Sequence, residues 1–393
     1  MTEKRRDWRM IVLISAVHFV SHVHILALPP LYPLLRAEFG TSYATLGLLT
    51  VGYSLVGALL QTRMGRLTDR FGGMPLLHAA LAGAAAAFLL ATLAQGFAVL
   101  AICVIAAGVA NAVYHPADMS LLSSHVSKAR RSTAFAVHSV AGTAGFAAAP
   151  LLTGGIGLAF GWRAGLAAAA ALSLAGILAL VLARRGLAGA DTPAAPKARP
   201  QAAGIWRQAR FQLQFAVFGL FGAISAGLQG FLIPAMAQTG RMDAPAATAL
   251  LSAYLAAATA GVVLGGALSS RIGPGRVMLL GMGGSGLFWL AAAMPGLPAA
   301  AVAVLACAAG VGNGLALPSR DTLLADQARG PDQAAIFGFV TSGLFAGQVL
   351  APLAIGRMID LGHGALLFPA IALLSLAALL GGTGREQRAA AES

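Results

Sequence analysis

The chain alternates between long apolar runs and short polar breaks. Twelve runs can be drawn, at about 10–35, 43–62, 75–94, 97–122, 134–159, 164–183, 211–236, 246–268, 277–294, 298–318, 335–357 and 364–382. Each has about 20 residues, the length a helix needs to cross the hydrocarbon core of a bilayer. The pattern predicts an all-α membrane protein with twelve transmembrane helices in two six-helix bundles. The stretch Arg184–Arg210 carries Pro193, Pro196, Pro200 and six basic residues. It predicts a cytoplasmic linker over 186–210 between bundles spanning 1–185 and 211–393.

The first run is not a plain lipid anchor. Between His18 and Pro33 it reads HFVSHVHILALPPLYP, with three histidines and three prolines. An imidazole in hydrocarbon must find a partner, and a proline frees a backbone carbonyl. Such residues belong where a helix faces other protein or a wet cavity. His18 and His22 are four apart and share a helical face; His24 points to the other side. The histidines, the prolines and the lack of a small-residue cleavage site also argue against a signal peptide.

Composition agrees with the pattern: 58% of the 393 residues are hydrophobic and 10% charged, against about 25% charged in soluble domains. The formal charge of +13 suggests anionic partners until its distribution is read. Of the 26 lysines and arginines, 22 fall on one side of the predicted spans, and Arg36, Arg163, Arg241 and Arg357 fall on the other. By the positive-inside bias both termini are cytoplasmic. The charge is then a topology signal and not a nucleic-acid footprint. Cys103 and Cys307 sit within apolar runs as packing residues. Trp8, Trp162 and Trp206 lie beside span ends, as interfacial anchors do.

The two halves repeat. Gly65-Arg-Leu-Thr-Asp69-Arg70-Phe-Gly72 returns 201 residues later as Gly266-Ala-Leu-Ser-Ser-Arg271-Ile-Gly273. Gly108, Asn111 and Pro116 match Gly310, Asn313 and Pro318 at a shift of 202, as Phe135 and Pro150 match Phe337 and Pro352. Homologous halves with a binding site between them are a common transporter plan.

GRLTDRFG resembles the loop signature of the major facilitator superfamily, G-x-L-x-D-R-x-G, with Gly73 and Met74 where basic residues usually follow. Within that superfamily, His18-Phe19, Leu28-Pro29, Pro33 and Tyr114-His115-Pro116 resemble the fosmidomycin-resistance type of exporter. Those proteins show H-F-x-x-D in span one and F-H-P-E in span four. Here His22 stands at the first acid and Ala117 at the second, with Asp118 next to it. The resemblance implies a transporter, not an enzyme, without a cofactor. It also implies alternating access, with spans one and four of each half lining a central cavity.

The candidate residues lie mainly in the first half. Asn111, His115 and Asp118 fall at i, i+4 and i+7 in span four, beside Tyr114 and Pro116; span five adds His138. At about 1.5 Å per residue, His18 and His115 lie at similar depth. The repeat mates Gly219, Ala223 and Leu317 of His18, His22 and His115 cannot titrate. Three readings stay open. The histidines take up protons and bind solute, for which an imidazole pKa near 6.5 is suited. They hold a transition metal or its chelate on His18, His22 and His115 with Met119 or Asp118. Or they are structural, bonding carbonyls freed by Pro29, Pro30 and Pro116.

Asp69 and Arg70 of the loop, with the repeat-related Asp118 and Arg320, are the candidate conformational gate. Gly142, Gly145, Pro150, Gly154 and Gly155 allow close helix approach in span five. The expectation is a proton-coupled exporter of a drug or anionic metabolite in a bacterial inner membrane, acting as a monomer. Import of an organic anion, a transition metal or a metal chelate is the alternative. Protons, a small solute and lipid are the partners, with no nucleic acid. An iron oxygenase lacks the further H-x-x-H-H boxes it needs. A metalloprotease lacks the Glu of H-E-x-x-H, where Phe19 stands.

Overall fold

Proline and glycine punctuation sets the ends of the helices. The computed structural model describes residues 2–183, 207–328 and 333–383; most of the expected linker, with Arg329 and the basic tail, lies outside them. The first run forms α1 (Glu3–Ile25), a 3₁₀ turn at Pro29–Leu31, and α2 (Tyr32–Phe39), closed by left-handed Gly40. Then come α3 (Tyr43–Phe71), α4 (Gly73–Thr92), α5 (Phe97–Asn111), α6 (Tyr114–His125), α7 (Arg131–Ala149), α8 (Ile156–Phe160) and α9 (Trp162–Ala183). The second half is α10 (Ala209–Gln238), α11 (Ala244–Ile272), α12 (Pro274–Ala292), α13 (Ala299–Gln327), α14 (Gln333–Asp360) and α15 (Leu367–Thr383).

Each of the twelve predicted spans falls on one of these helices or on a broken pair of them. Ten are individually long and apolar enough to cross a membrane, and Gly364–Leu379 is a shorter apolar helix. Glycine-rich α12 occupies the remaining span.

The helices cluster into two units, residues 1–41 with 48–197 and residues 42–47 with 198–393. In the first, α1 packs on α7, α6, α5 and α9, while α4 packs on α9, α5 and α6. Met10, Ile14, Val17, Leu77, Leu81, Leu121 and Leu122 fill its centre. In the second, α10 packs on α14 and α15, and α13 on α11 and α12. Inside a bilayer this contact is held by van der Waals packing of small and apolar side chains rather than by expelled water.

The repeat is legible in the backbone as well. The turns after α3 and α11 pass through Gly72 at φ 86° and Gly273 at φ 88°; Gly161 (φ 90°) and Gly362 (φ 88°) are paired in the same way. L side chains rarely adopt this conformation, so glycine is required at both copies.

Two of the four arginines that break the charge bias have a structural use. Arg163 donates to the Thr92 and Ala94 carbonyls at the end of α4, and to Glu38. Arg241 donates to the Ala292, Ala293 and Met294 carbonyls at the end of α12. Both satisfy carbonyls that a helix terminus leaves unpaired.

Candidate functional site: a buried histidine and aspartate cluster

The first unit gathers four of its histidines around one carboxylate. His18 Nδ1 lies 3.1 Å from Asp118 Oδ2. The His138 ring stacks on that of His18, with centroids 3.6 Å apart and planes 22° apart. His138 Nε2 is 3.9 Å from the same carboxylate oxygen, too far for a hydrogen bond. His22 and His115 lie 4.4 and 5.0 Å from His18, ring to ring. His18, His138 and Asp118 are buried, His22 is half-buried and His115 is exposed. The group is therefore closed at its carboxylate end and open at His115.

Local sequence explains how three helices bring these groups together. α1 supplies His18 and His22 from one face. Phe146 of α7 packs on His22 at 4.3 Å, and two glycines of α7 leave the room. A Cβ on Gly142 would stand 2.8 Å from both His18 Nε2 and His22 Cε1, and one on Gly145 would strike the Phe19 carbonyl. His138, Gly142 and Gly145 are spaced i, i+4 and i+7, so the stacked ring and both gaps share one face.

The helix of span four is interrupted within the site. It breaks at Ala112 and Val113, between α5 and α6. Pro116 has no N–H for the carbonyl four residues back, at Ala112, and its ring crowds that carbonyl. Ala112 and Val113 keep right-handed helical angles, so the chain continues in the same direction, and Asn111, His115 and Asp118 all meet α1 as the spacing predicts. Asn111 Nδ2 donates to the Ser21 carbonyl at 3.3 Å and ties α5 to α1. Tyr114, one turn before Asp118, is buried, and its hydroxyl has no partner among the described residues.

Several buried polar atoms of the cluster have no partner among the described residues: both nitrogens of His22, Asp118 Oδ1, and both nitrogens of His138. Buried polar groups are satisfied in the great majority of cases, so a set of orphans in one place calls for a proton, water or solute. One proton can sit between His18 and Asp118, carried on either group. Asp118 has no lysine or arginine among its partners in the described residues, so its charge depends on neighbouring imidazoles.

Two sets of side chains could also hold a metal ion, His18 with His22 and His115, or His18 with Asp118 and His138; the ligand atoms of each lie within 4.8 Å of one another. Met119 is exposed. His24 stands apart as expected, with Nε2 3.1 Å from both the Ala169 carbonyl and the Ser173 hydroxyl.

The gate residues have local partners. Arg320 donates two hydrogen bonds to Asp321, at 2.8 and 3.0 Å, and lies over the Phe218 ring at 4.0 Å. Asp69 is exposed with no partner seen among the described residues, and Arg70 stands over Phe71.

Two repeated bundles of membrane-length helices, with interrupted helices around a buried polar cluster in the first, describe a membrane transporter. A family model described as Major Facilitator Superfamily matches residues 14–232 and 215–390, and the chain belongs to that family. It is a multi-pass membrane transporter of a small-molecule substrate, and not an enzyme.

Among curated proteins it is 26% identical over 279 residues to the fosmidomycin resistance protein of Escherichia coli (strain K12), covering 69% of this chain and 68% of that one. It is 28% identical over 350 residues to the probable nitrate/nitrite transporter NarK2 of Mycobacterium tuberculosis, covering 84% of each. Among solved structures it resembles a bacterial homologue of the human lysosomal transporter Spinster, with a TM-score of 0.75 at 15% identity over 96% of this chain and 95% of that one. The nucleoside transporter NupG gives a TM-score of 0.75 at 14% identity, over 94% and 98% of the two chains.

Proposed function

We propose that the chain is a proton-coupled exporter of a small organic solute, a drug or anionic metabolite, working by alternating access as a monomer. Its place is a bacterial inner membrane, with both termini cytoplasmic. The observation that carries this is the Asp118–His18–His138 group, buried at one end and open through His22 and His115 at the other. A proton taken from outside would settle on this group and leave to the cytoplasm as solute moves outward. Neutral or protonated imidazoles favour a neutral or anionic solute. The names of two relatives, one a resistance protein and one a nitrate/nitrite transporter, agree with that choice.

The test is transport by the purified protein in liposomes. Fosmidomycin and nitrate serve as first probes, with a pH-sensitive dye recording protons. A pH gradient should drive solute uphill with matching proton movement. Asp118→Asn should abolish the uphill phase and keep exchange of solute for solute. Uphill transport that persists in Asp118→Asn would remove the carboxylate from the coupling step.

The gate formed by Asp69, Arg70, Asp118 and Arg320 is part of this proposal. The double exchange Asp118→Arg with Arg320→Asp should restore part of what either single change removes; no rescue assigns Asp118 to proton transfer alone.

The imidazole trio His18, His22 and His115 favours a second reading, import of a transition metal or its chelate. Equilibrium dialysis with Ni²⁺ and Zn²⁺ separates the two. Stoichiometric binding lost in His22→Ala supports metal as cargo, and no binding supports the organic solute.

A further inference from the structure

Outside this cluster, one groove combines charge and apolar surface in a way the transport cycle does not use. It lies within the first unit, between the start of α1 and the end of α9, and encloses about 810 Å³. Lys4, Arg5 and Arg9 stand along its rim. Below them Val12 and Ala16 of α1 face Ala179 and Ala183 of α9. Trp8 lies between the two zones, 39% exposed.

The spacing shows that α1 has two separate faces. Arg5, Trp8, Arg9, Val12 and Ala16 follow one another at i, i+3, i+4, i+7 and i+11, a single stripe. Asp7, His18 and His22 fall on the other side. The Asp7 carboxylate is buried there, accepting from Ser127 Oγ at 2.6 Å and Arg130 Nη1 at 2.9 Å. Of the two carboxylates near the rim in sequence, Asp7 is thus turned away and already bonded, and Glu3 is exposed outside the groove's lining. Val12, 59% exposed, carries the apolar stripe on into the membrane.

We propose that this groove binds an anionic phospholipid of the leaflet that faces the amino terminus. The phosphate would sit among Lys4, Arg5 and Arg9, and the upper acyl chain would lie in the trough of Val12, Ala16, Ala179 and Ala183. Basic groups at a membrane surface attract anionic headgroups, and a tryptophan at that level is an interfacial anchor. The small alanines of α9 leave the trough open, where larger side chains would fill it. The lipid would hold α1 from behind, on the face opposite His18 and His22.

The test needs no knowledge of the transported solute, so it stands apart from the proposed function. Full-length protein in detergent is incubated with phosphatidylglycerol or phosphatidylcholine of matched chains, and bound lipid is counted by native mass spectrometry. Phosphatidylglycerol should be retained at about tenfold lower concentration than phosphatidylcholine, the scale expected for one or two basic groups near an anionic surface. The exposed pair of changes Arg5→Gln and Arg9→Gln should erase that preference. Ala179→Trp should displace both lipids while leaving the charges in place. Glycerol phosphate without chains should not compete. Equal retention of the two lipids by the unaltered protein would overturn the proposal. So would a preference unmoved by the charge changes and by the wedge, or full competition by glycerol phosphate.

Discussion

The crossing of α1 with α7 and that of α10 with α14 are copies of one design with opposite contents. In the first, the helices are held around imidazole rings, with Gly142 and Gly145 making room. In the second, glycines face each other across the contact: a Cβ on Gly347 would strike the Gly219 carbonyl, and one on Gly343 the Phe215 carbonyl. His18 and Gly219 are repeat mates. The helices differ in the same sense. α1 ends ahead of Pro29 and Pro30, α5 and α6 are parted before Pro116, and α7 enters a π-helical turn at Pro150–Gly155. Their mates α10, α13 and α14 run unbroken through Pro234, Pro318 and Pro352. The lesson is that polar chemistry and broken helices occur together, because in a membrane irregular backbone is tolerated where other groups satisfy it. Thr153 Oγ1, for instance, donates to the Ala149 carbonyl at the π turn.

The largest effect should come from filling the closed crossing. Gly347→Ala places a methyl group against the α10 backbone at Gly219 and Ala223, and backbone cannot turn aside. Overpacking of this kind costs about 3 kcal/mol or more. The variant should fail to give a monodisperse peak in detergent, or should melt far below the parent protein. Gly142→Ala meets two imidazole rings, which can rotate. It should cost about 1–2 kcal/mol yet lower transport sharply, because His18 and His22 are displaced. Equal loss of stability in the two variants would show that the first crossing is packed as rigidly as the second.

Next in size is the pair of repeat mates with opposite charge. Asp118 is fully buried and serves His18 and His138. Asp118→Leu strands both rings in a dry place and should cost about 3 kcal/mol. Arg320 is buried too, but its partner Asp321 has a side chain 55% exposed. Arg320→Met leaves that carboxylate in solvent and keeps apolar contact with Phe218, so about 1 kcal/mol should be lost. Thermal unfolding in one detergent measures both. A larger loss at Arg320 would reverse the assignment of the first half as the electrostatically sensitive one.

Much of this contrast could be read from the sequence. Membrane-length runs, the 201-residue shift and the concentration of histidines in the first half need only counting. Helical spacing pairs His18 with His22 and His115 with Asp118, and the resemblance to the superfamily, with spans one and four lining one cavity, brings the two pairs together. His138 was harder, since it lies 20 residues beyond Asp118 on another helix. Its signal was local, the shared face with Gly142 and Gly145. Pro116 signals a local opening of its helix, but the unbroken course of α13 through Pro318 is not legible. Pro116 and Pro318 sit in matching positions, and whether a proline parts a helix depends on who receives the freed carbonyls.

The smallest prediction concerns a matched pair of tyrosines. Tyr53 and Tyr254 are repeat mates, both buried, each crossed by a glycine of the neighbouring helix. A Cβ on Gly108 would lie 2.6 Å from the Tyr53 carbonyl, and one on Gly310 2.6 Å from that of Tyr254. The hydroxyls differ in their surroundings. Asn313 Nδ2 donates to the Tyr254 hydroxyl at 2.9 Å, whereas the Tyr53 hydroxyl has no partner among the described residues. Tyr254→Phe should therefore cost about 1 kcal/mol, the net worth of one hydrogen bond and the stranding of Asn313. Tyr53→Phe removes an unpaired buried group and should leave stability unchanged or slightly higher. Transport sharpens the point. If the Tyr53 hydroxyl serves the solute, Tyr53→Phe will raise KM at constant melting temperature, while Tyr254→Phe will lower the melting temperature at constant KM. The opposite pattern would place solute recognition in the second half, against the division that the histidines and the broken helices draw.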